Sequence, residues 1–406
     1  MRIPLSAPDI TEPEIQAVAD VLRTPNLSLG PKVREFERAI SNYVGTSDAI
    51  AVHSGTSALH LCIRSLGISE GDEVIVPSFA FIAVANAVRY ERATPVFVDI
   101  ESNTLNLDPD KVEAAITPRT KAILVVHTFG CPAEMSAVLE IARRHRLYVI
   151  EDACEAIGAE YDGRKVGALG DVGVFGFYPN KQITTGEGGA VVTNNSEFAA
   201  KIRKLRNQGR DESAEWIQHS ELGYNYRISD INCALGIEQL NRIDLILDRR
   251  EAIAREYSQR LGQHPHLKLP PLTQSRRKIS WFVYVVRLGD RLREEHRDWI
   301  INEMKVRGIG AGRYFAPIHL QPIYRPCTGQ KSALPISEFC ASRSLALPFF
   351  NRIRQEQIAE VCRVLIELIQ VAATRSNDRG RLAFRSVKSQ RSVLSPNKSS
   401  ESNLKS

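Results

Sequence analysis

Short apolar runs alternate with amphipathic segments through the first half of the chain. The runs are rich in Val and Ile and predict buried strands, and the segments between them place apolar residues on one face, as helices do. This alternation, with short connections, predicts an α/β fold with a mainly parallel sheet and helices on both faces. The predicted strands are 49–52, 73–77, 95–99, 121–127, 148–152, 174–178 and 190–193. The helices predicted between them include 79–88, 108–115, 135–145 and 196–206.

The pattern changes after a long helix that is predicted to end near Leu261. A proline-containing linker at 265–272 leads to more widely separated elements, a strand at 281–288, a helix at 294–307 and a final helix at 355–369. These elements predict a second, smaller α+β domain. The expected division is a large domain at 1–255 with the cofactor site, a small C-terminal domain at 256–372 and a tail at 373–406.

The composition is that of an ordinary globular protein, with 43% hydrophobic and 25% charged residues. No apolar run approaches the ~18 residues that cross a bilayer. The first residues lack the apolar core of a signal peptide, so we expect a cytoplasmic protein. Seven cysteines occur singly, without a CxxC pair. Reduced thiols are therefore expected, without a disulfide framework or a metal site.

The tail accounts for the whole formal net charge of +6. Residues 374–406 contain eight Lys or Arg and two acids, so the rest of the chain is formally neutral. A broad basic surface for nucleic acid is therefore not predicted. The tail is rich in Ser, Arg and Lys and poor in apolar residues, which predicts disorder. Binding of an anionic partner by the tail is the alternative.

The stretch 174–194, VFGFYPNKQITTGEGGAVVTN, joins two predicted strands through a glycine-rich polar turn. Pro179 and Gly186 interrupt regular structure there. Lys181 lies in this turn, beyond the end of the first strand. A lysine held at the rim of a sheet and partly removed from water can lose its proton and act as an amine nucleophile.

Three further features accompany this lysine. The segment HSGTSALHLCIRSLG places Thr56 and Ser57 where a turn of small residues enters a helix, and the free N–H groups at such a start bind anions such as phosphate. Asp152 ends the strand at 148–152, at the edge where α/β sheets bind ligands. It is predicted either to cap a helix or to pair with a protonated ring nitrogen. Aromatic residues begin the segment 79–88.

A phosphorylated pyridine aldehyde requires all four features together. Its phosphate needs N–H donors, its ring needs an aromatic neighbour, its nitrogen needs a carboxylate and its aldehyde needs an amine. The order of these features along the chain therefore predicts pyridoxal 5′-phosphate as the cofactor.

Five motifs resemble those of the DegT/StrS sugar aminotransferases, which are fold-type I enzymes that depend on pyridoxal phosphate. They are SGTSALHL, EDACEAIGA, FYPNKQITTGEGGAVVTN, LGYNYRISDINCALG and APIHLQP. The resemblance covers about residues 1–370 and leaves out the basic tail. It implies transfer of an amino group from glutamate onto a nucleotide-linked keto-sugar in polysaccharide biosynthesis.

The resemblance also implies roles for individual residues. Lys181 would form the internal aldimine with the cofactor and then serve as the base and acid of the proton shift. Asp152 would keep the pyridine nitrogen protonated. Thr56 and Ser57 would hold the phosphate, and Phe81 would stack on the ring.

The resemblance implies roles for three other residues. Asn225 would reach the phosphate of the neighbouring subunit's cofactor, which implies a homodimer with shared active sites. Tyr314 and His319 would lie near the sugar. Packing roles are the alternative for both residues.

Two positions depart from the family pattern. Gly176 stands where the family often has a serine that contacts the phosphate, so one contact should be missing. Glu155 stands where many members have Gln or His near the ring hydroxyl. A carboxylate there would repel the phenolate unless it is protonated or turned away. Glu155 is therefore a candidate contact of the cofactor.

Three alternatives remain at this stage. Related dehydratases have His in place of the lysine, and Lys181 argues against that reaction. The amino acceptor is alternatively a cyclitol or an aromatic-precursor ketone, since acceptor choice depends on loop shape. A regulatory protein that binds the cofactor with little catalysis is the third, and the pair of Lys181 and Asp152 argues against it.

Overall fold

A seven-stranded mixed sheet forms the centre of the structure, a computed structural model that describes residues 2–210, 218–262, 264–328 and 333–377. The strands are β1 (Asp48–Val52), β2 (Glu73–Pro77), β3 (Thr94–Val98), β4 (Thr120–Val126), β5 (Tyr148–Asp152), β6 (Glu160–Tyr161), β7 (Arg164–Lys165), β8 (Val172–Gly176), β9 (Gly189–Thr193), β10 (Leu267–Lys268), β11 (Arg277–Lys278), β12 (Tyr284–Leu288) and β13 (Ser344–Leu347). The helices are α1 (Glu12–Leu22), α2 (Pro31–Val44), α3 (Gly55–Ser65), α4 (Ala83–Tyr90), α5 (Pro109–Ala114), α6 (Met135–His145), α7 (Ser196–Arg206), α8 (Asp230–Asn241), α9 (Ile243–Leu261), α10 (Glu294–Val306), α11 (Arg325–Thr328), α12 (Pro335–Arg343) and α13 (Gln355–Asn377).

The strand order of the large sheet is β1-β9-β8-β5-β4-β2-β3. Strands β8, β5, β4, β2 and β3 are mutually parallel, and β9 alone runs against its neighbours β8 and β1. The predicted α/β fold with a mainly parallel sheet is therefore confirmed. The hairpin between β8 and β9 contains the predicted lysine turn.

Alternate residues of each strand enter two different hydrophobic clusters, one on each face of the sheet. In β1, Ala49 and Ala51 belong to one cluster, and Ile50 and Val52 belong to the other. Because both faces are covered, the strands are continuous apolar runs, as buried parallel strands are. Phe36, on the apolar face of α2, is fully buried in the first cluster.

Smaller sheets lie beyond the large one, with orders β10-β12-β13 and β11-β6-β7. A third cluster joins the first of them to helices α9, α10 and α13, through residues such as Tyr257 and Tyr284. The domain division predicted between residues 255 and 256 stays a prediction, and it falls inside α9. The tail from residue 378 onward lies outside the described residues.

Several predicted boundaries differ from the structure. The helix predicted from Phe79 begins at Ala83, because Phe79 is buried as an anchor and Ser78 bonds to the 318–319 segment before the helix starts. The long helix predicted to end near Leu261 does end there, as α9, and Arg242 between α8 and α9 bonds through its guanidinium group to Asp9 in the N-terminal segment. The strand predicted at 174–178 lies two residues earlier, as β8.

Within the described residues, no helix is both long enough and apolar enough to cross a membrane.

Candidate active site

The loop that carries Lys181 is closed by backbone hydrogen bonds beyond the end of β8. Phe177 N donates to Gly188 O at 2.9 Å, and Thr185 N donates to Phe177 O at 3.0 Å. Gly186 has a φ of +81°, a left-handed conformation that favours glycine. Lys181 N donates to Tyr178 O at 2.9 Å. The lysine backbone is therefore fixed close to the sheet, as the turn pattern predicted.

The Lys181 amine lies in a partly apolar environment. Its side chain is 16% exposed, and Nζ lies 4.1 Å from the centre of the Phe282 ring. The nearest acidic partner is Glu155, whose Oε1 is 3.6 Å from Nζ. This is the setting in which a lysine amine is accessible yet poorly hydrated.

Asp152 is the last residue of β5, and its carboxylate is buried next to this lysine pocket. The residue is 8% exposed, and Oδ1 accepts a hydrogen bond from Cys154 N at 3.0 Å. The charges of Asp152 and Lys181 both act on the pKa of Glu155, which shows that the three groups lie close together. Asp152 therefore also fills part of the capping role that was predicted as the alternative, because Oδ1 caps the turn after β5.

Glu155 lies between Lys181 and the backbone of Phe129. Its Oε2 accepts from Phe129 N at 3.0 Å, and Phe129 has a φ of 56°. Burial raises the pKa of the Glu155 carboxyl, Asp152 raises it further, and Lys181 opposes the shift. One oxygen is thus turned toward a backbone donor, and burial makes the carboxyl easier to protonate than that of an exposed glutamate. These are the two conditions under which a carboxylate is tolerated beside a phenolic oxygen.

The predicted phosphate turn forms the start of α3. Ser54 caps the helix by accepting from Ser57 N at 3.1 Å. The buried Ser57 hydroxyl lies 2.8 Å from Ser54 Oγ and 2.9 Å from His53 Nδ1. Thr56 is in the first turn, where N–H groups have no intrahelical partner. A Cβ on Gly189 would lie 2.5 Å from the Ser54 carbonyl carbon, so only glycine lets β9 hold the turn this closely.

A hydrogen-bonded cluster holds the segment that carries Asn225. His60 Nδ1 lies 3.0 Å from Tyr226 Oη, and His60 Nε2 lies 2.8 Å from Glu91 Oε1. Tyr224 Oη donates to the same Glu91 oxygen at 3.0 Å, and the two tyrosine rings stack with centroids 4.9 Å apart. Both tyrosines are thus tied to the protein, and Asn225 between them is exposed.

Tyr314 lies among the residues around Lys181. Its ring centroid is 6.2 Å from that of Phe282, and it is close enough for Glu155 to affect its pKa. Burial raises the pKa of Tyr314, Glu155 adds to the rise, and a hydrogen bond with Asn180 opposes it. The structure therefore brings Tyr314 together with the lysine and Glu155.

His319 and Phe81 have different surroundings. His319 is 3% exposed, with Nδ1 2.6 Å from Ser78 Oγ and Nε2 3.3 Å from Glu338 Oε1. These contacts join the loop at 313–325 to the end of β2 and to α12, which is the packing role named as the alternative. The contact of His319 with the sugar stays a prediction. Phe81, beyond the same strand, is 60% exposed and therefore accessible to a ligand.

The position of Gly176 explains part of its departure from the family pattern. A Cβ there would lie 3.1 Å from Cys154 Sγ, in the space next to Asp152. The cysteine therefore occupies room that a serine side chain would need.

Sequence reasoning missed residues that shape the lysine pocket. Phe282 forms its apolar wall, Phe129 positions Glu155, and Gln182 Nε2 donates to Glu155 O at 2.7 Å and to Ser280 O at 3.1 Å. Asn180 Oδ1 is buried without a hydrogen-bond partner among the described residues. Phe282 comes from a distant part of the chain, and no local pattern points to it.

The donor set fits pyridoxal phosphate. The structure offers a poorly hydrated amine at Lys181, a buried carboxylate at Asp152 and N–H groups at the start of α3. An unpartnered acceptor, Asn180 Oδ1, lies next to the lysine in the chain. A mainly parallel sheet with a lysine on the hairpin at its ligand-binding edge defines a fold-type I transferase.

Comparison with known proteins identifies the family. The DegT/DnrJ/EryC1/StrS aminotransferase family matches residues 8–366, and the chain belongs to it. GDP-perosamine synthase of Caulobacter vibrioides is 43% identical over 91% of this chain and 98% of its own length. The spore coat polysaccharide biosynthesis protein SpsC of Bacillus subtilis is 37% identical over 91% of this chain and 98% of its own length.

A solved structure agrees with this assignment. The PMP-form of Spr1654 from Streptococcus pneumoniae, assigned as a sugar aminotransferase, superposes with a TM-score of 0.89 at 28% identity. The match covers 93% of this chain and 100% of that one. Family membership confirms the predicted enzyme class, an aminotransferase with pyridoxal phosphate as its cofactor. The roles predicted for single residues stay predictions.

Proposed function

We propose that this enzyme transfers an amino group from glutamate onto the ketone of a nucleotide-linked sugar. Three named relatives support sugar as the substrate class: a GDP-perosamine synthase, a spore coat polysaccharide protein and a protein assigned as a sugar aminotransferase. The observation that carries the proposal is the poorly hydrated Lys181 amine, 3.6 Å from Glu155 and close to Asp152. A cytoplasmic location stays a prediction.

Bound pyridoxal phosphate supplies an electron-withdrawing ring that stabilises negative charge on a carbon that has lost a proton. Lys181 would hold it covalently through Nζ. After release, the same amine would move the proton, because a lysine amine can accept a proton in one step and donate it in the next. The ring of Phe282 covers one side of Nζ and limits the access of water to it there.

Asp152 would keep the pyridine nitrogen charged. Its burial makes a charge-assisted hydrogen bond stronger than it would be in water, and the Cys154 N–H fixes its orientation. Glu155 would contact the phenolic oxygen of the cofactor. In its proton-bearing form, Glu155 donates a hydrogen bond rather than repelling an oxyanion.

The phosphate would be held by Thr56 and Ser57 in the first turn of α3. The positive end of that helix and its free N–H groups favour an anion. Asn225 would add a contact across the interface of a homodimer with shared active sites. Its exposed position, between two tyrosines that are held in place, supports this role. Phe81 would stack on the ring, and Tyr314 and His319 would border the sugar.

Replacement of Lys181 tests the proposal. Lys181→Ala should lose the visible absorbance of lysine-bound cofactor and all transamination, because no other amine would hold the aldehyde. Lys165→Ala, on the short strand β7, is the matched control and should keep both. An unchanged absorbance spectrum in Lys181→Ala would contradict the assignment.

The substrate is tested in two half-reactions. Glutamate alone should convert the cofactor to its amine form, with loss of the visible absorbance. A panel of nucleotide-linked keto-sugars should then restore that absorbance, whereas cyclitol ketones should not. Restoration by a cyclitol ketone alone would overturn the substrate class. Failure of the first half-reaction would instead favour a regulatory protein.

A further inference from the structure

A cavity of about 520 Å³ lies between α2 and α7, near the carboxyl end of β1. Four arginines and one glutamate contribute to its wall, which is an unusual concentration of positive charge for a chain whose body is formally neutral. The charged and amide residues of the wall are Arg34, Glu37, Arg203, Arg206, Asn207 and Arg210.

Arg206 forms the floor of this cavity. It is 8% exposed, and Nη1 donates to Glu37 Oε1 at 2.5 Å and to Ala51 O at 2.7 Å. Its Nε is buried and has no hydrogen-bond partner among the described residues. A buried guanidinium N–H without a partner is costly, so Arg206 has hydrogen-bonding capacity that the described residues leave unfilled.

The remaining charges do not balance within the cavity. Arg203 pairs with Asp48 at 2.7 Å, and Glu37 is taken by Arg206. Arg34 and Arg210 form no ion pair with any residue that the structure describes. Within the part of the chain that the structure describes, two guanidinium groups of the cavity are therefore not neutralised, and guanidinium groups match the charge and bidentate geometry of phosphate oxygens.

The position of the cavity connects it to the proposed active site. The backbone of Asn207 pairs with that of Asn225, and Asn207 Oδ1 accepts from Arg227 at 2.9 Å. The wall of the cavity thus includes Asn207, whose backbone pairs with that of Asn225. Asn225 is the residue proposed to contact the cofactor phosphate in the partner subunit. Arg206 also bonds to Ala51, two residues before the phosphate turn begins.

We propose that this cavity binds the diphosphate of the nucleotide-linked substrate. The cavity would serve the active site of the partner subunit, which is the site that Asn225 completes. The inference rests on the proposed function. Arg34 and Arg210 would pair with the phosphate oxygens, and Arg206 would add positive charge at the floor of the cavity. The nucleotide would then be recognised mainly by one subunit and the cofactor mainly by the other.

Calorimetric titration of the purified enzyme with GDP, inorganic pyrophosphate and guanosine tests the site. GDP and pyrophosphate should bind, and binding should weaken as salt rises because the attraction is ionic. Arg34→Gln and Arg210→Gln should each weaken GDP binding about tenfold. Arg38→Gln is the control, since Arg38 is exposed on the same helix and does not line the cavity. Equal weakening by Arg38→Gln, or no weakening by the cavity variants, would overturn the proposal.

A second measurement separates this site from the proposed function. The half-reaction with glutamate should be unchanged in Arg34→Gln and Arg210→Gln, while KM for the nucleotide-linked sugar rises and kcat changes little. A lost half-reaction in the wild type would contradict the proposed function. A normal half-reaction together with an unchanged KM in these variants would contradict the diphosphate site alone.

Mixed dimers test which active site the cavity serves. Subunits with Lys181→Ala and subunits with Arg34→Gln and Arg210→Gln are co-expressed with different tags, and the mixed dimer is isolated. If the arginines act across the interface, one site of that dimer has both an intact lysine and intact arginines, and KM returns to the wild-type value. A KM as high as in the arginine variant would overturn the assignment to the partner's site.

Discussion

Two neighbouring carboxylates at the end of β5 face opposite sides of the sheet and have opposite surroundings. Glu151 is fully buried and accepts hydrogen bonds from Gly167 N, Leu169 N and Gly170 N, and it lies 2.9 Å from His127 Nε2. Among the described residues, Asp152 accepts from one backbone N–H, that of Cys154. The difference shows that burial alone does not mark a carboxylate as functional, and that Asp152 keeps hydrogen-bonding capacity next to the lysine pocket.

His127 is, like Glu151, a buried titratable residue whose polar atoms already have partners within the protein. Its second ring nitrogen, Nδ1, accepts from Ala133 N at 3.1 Å, and the residue is fully buried. His127 therefore holds the loop after β4 and pairs with Glu151 on the side of the sheet away from the lysine. The position of His127 just after β4 therefore does not by itself place its ring in the site.

The largest expected effect is on stability. Glu151→Gln removes the charge that three N–H groups and His127 share, so we expect a loss of about 3–5 kcal/mol in the free energy of unfolding. Denaturant unfolding measures it. The folded fraction should keep its kcat, because Glu151 faces away from the lysine. Wild-type stability in this variant would contradict the structural role of Glu151.

The next effect is on turnover. Asp152→Asn keeps the size of the side chain and can still accept from Cys154 N, so stability should change little. The amide cannot hold a proton on the pyridine nitrogen as a carboxylate does, so kcat should fall about 100-fold. Steady-state kinetics with saturating cofactor measure the change. Turnover at the wild-type level would exclude the charge-holding role.

Stability should depend on pH in opposite directions through Glu151 and Glu155. Burial would raise the pKa of Glu151, but His127 and the backbone donors outweigh it and lower the pKa. The stabilisation of the folded state by Glu151 is therefore present above the ordinary pKa of 4.5 and is lost as pH falls. Burial raises the pKa of Glu155, so its contribution is present below 4.5 and is lost as pH rises through the raised value.

Unfolding of cofactor-free protein at several pH values checks these signs. The wild type should lose stability relative to Glu155→Gln as pH rises above 4.5, and relative to Glu151→Gln as pH falls below it. Parallel pH profiles for wild type and both variants would show that neither carboxyl is perturbed.

The smallest effect concerns the cluster around Asn225. Tyr226→Phe removes the hydroxyl that bonds to His60 and keeps the ring stack, so a loss of about 1 kcal/mol in stability is expected. Cofactor affinity should weaken a few-fold if Asn225 is displaced. Tyr90→Phe is the control, because Tyr90 is exposed and only its ring edge contacts His60. Equal effects of the two changes would contradict a positioning role for Tyr226.

Local patterns predicted the elements near the site well. Strand β5 and helix α6 have the predicted bounds, and Thr11 forms the capping contact with Glu14 at the start of α1. Such features depend on neighbouring residues and on the period of apolar positions. The start of α4 was predicted four residues too early, because burial of Phe79 by distant residues overrides local helix preference.

The sequence by itself determined the fold class, the family and the residue types that a pyridine aldehyde requires, since these depend on apolar period, turn chemistry and motif order. Only the tertiary structure decided which groups meet. It paired Glu155 with both Lys181 and Phe129, placed Phe282 over the amine, and turned His127 and Glu151 away from the site. The physical reason is that a side chain's protonation and reach depend on neighbours far away in the chain, and strand position alone does not specify them.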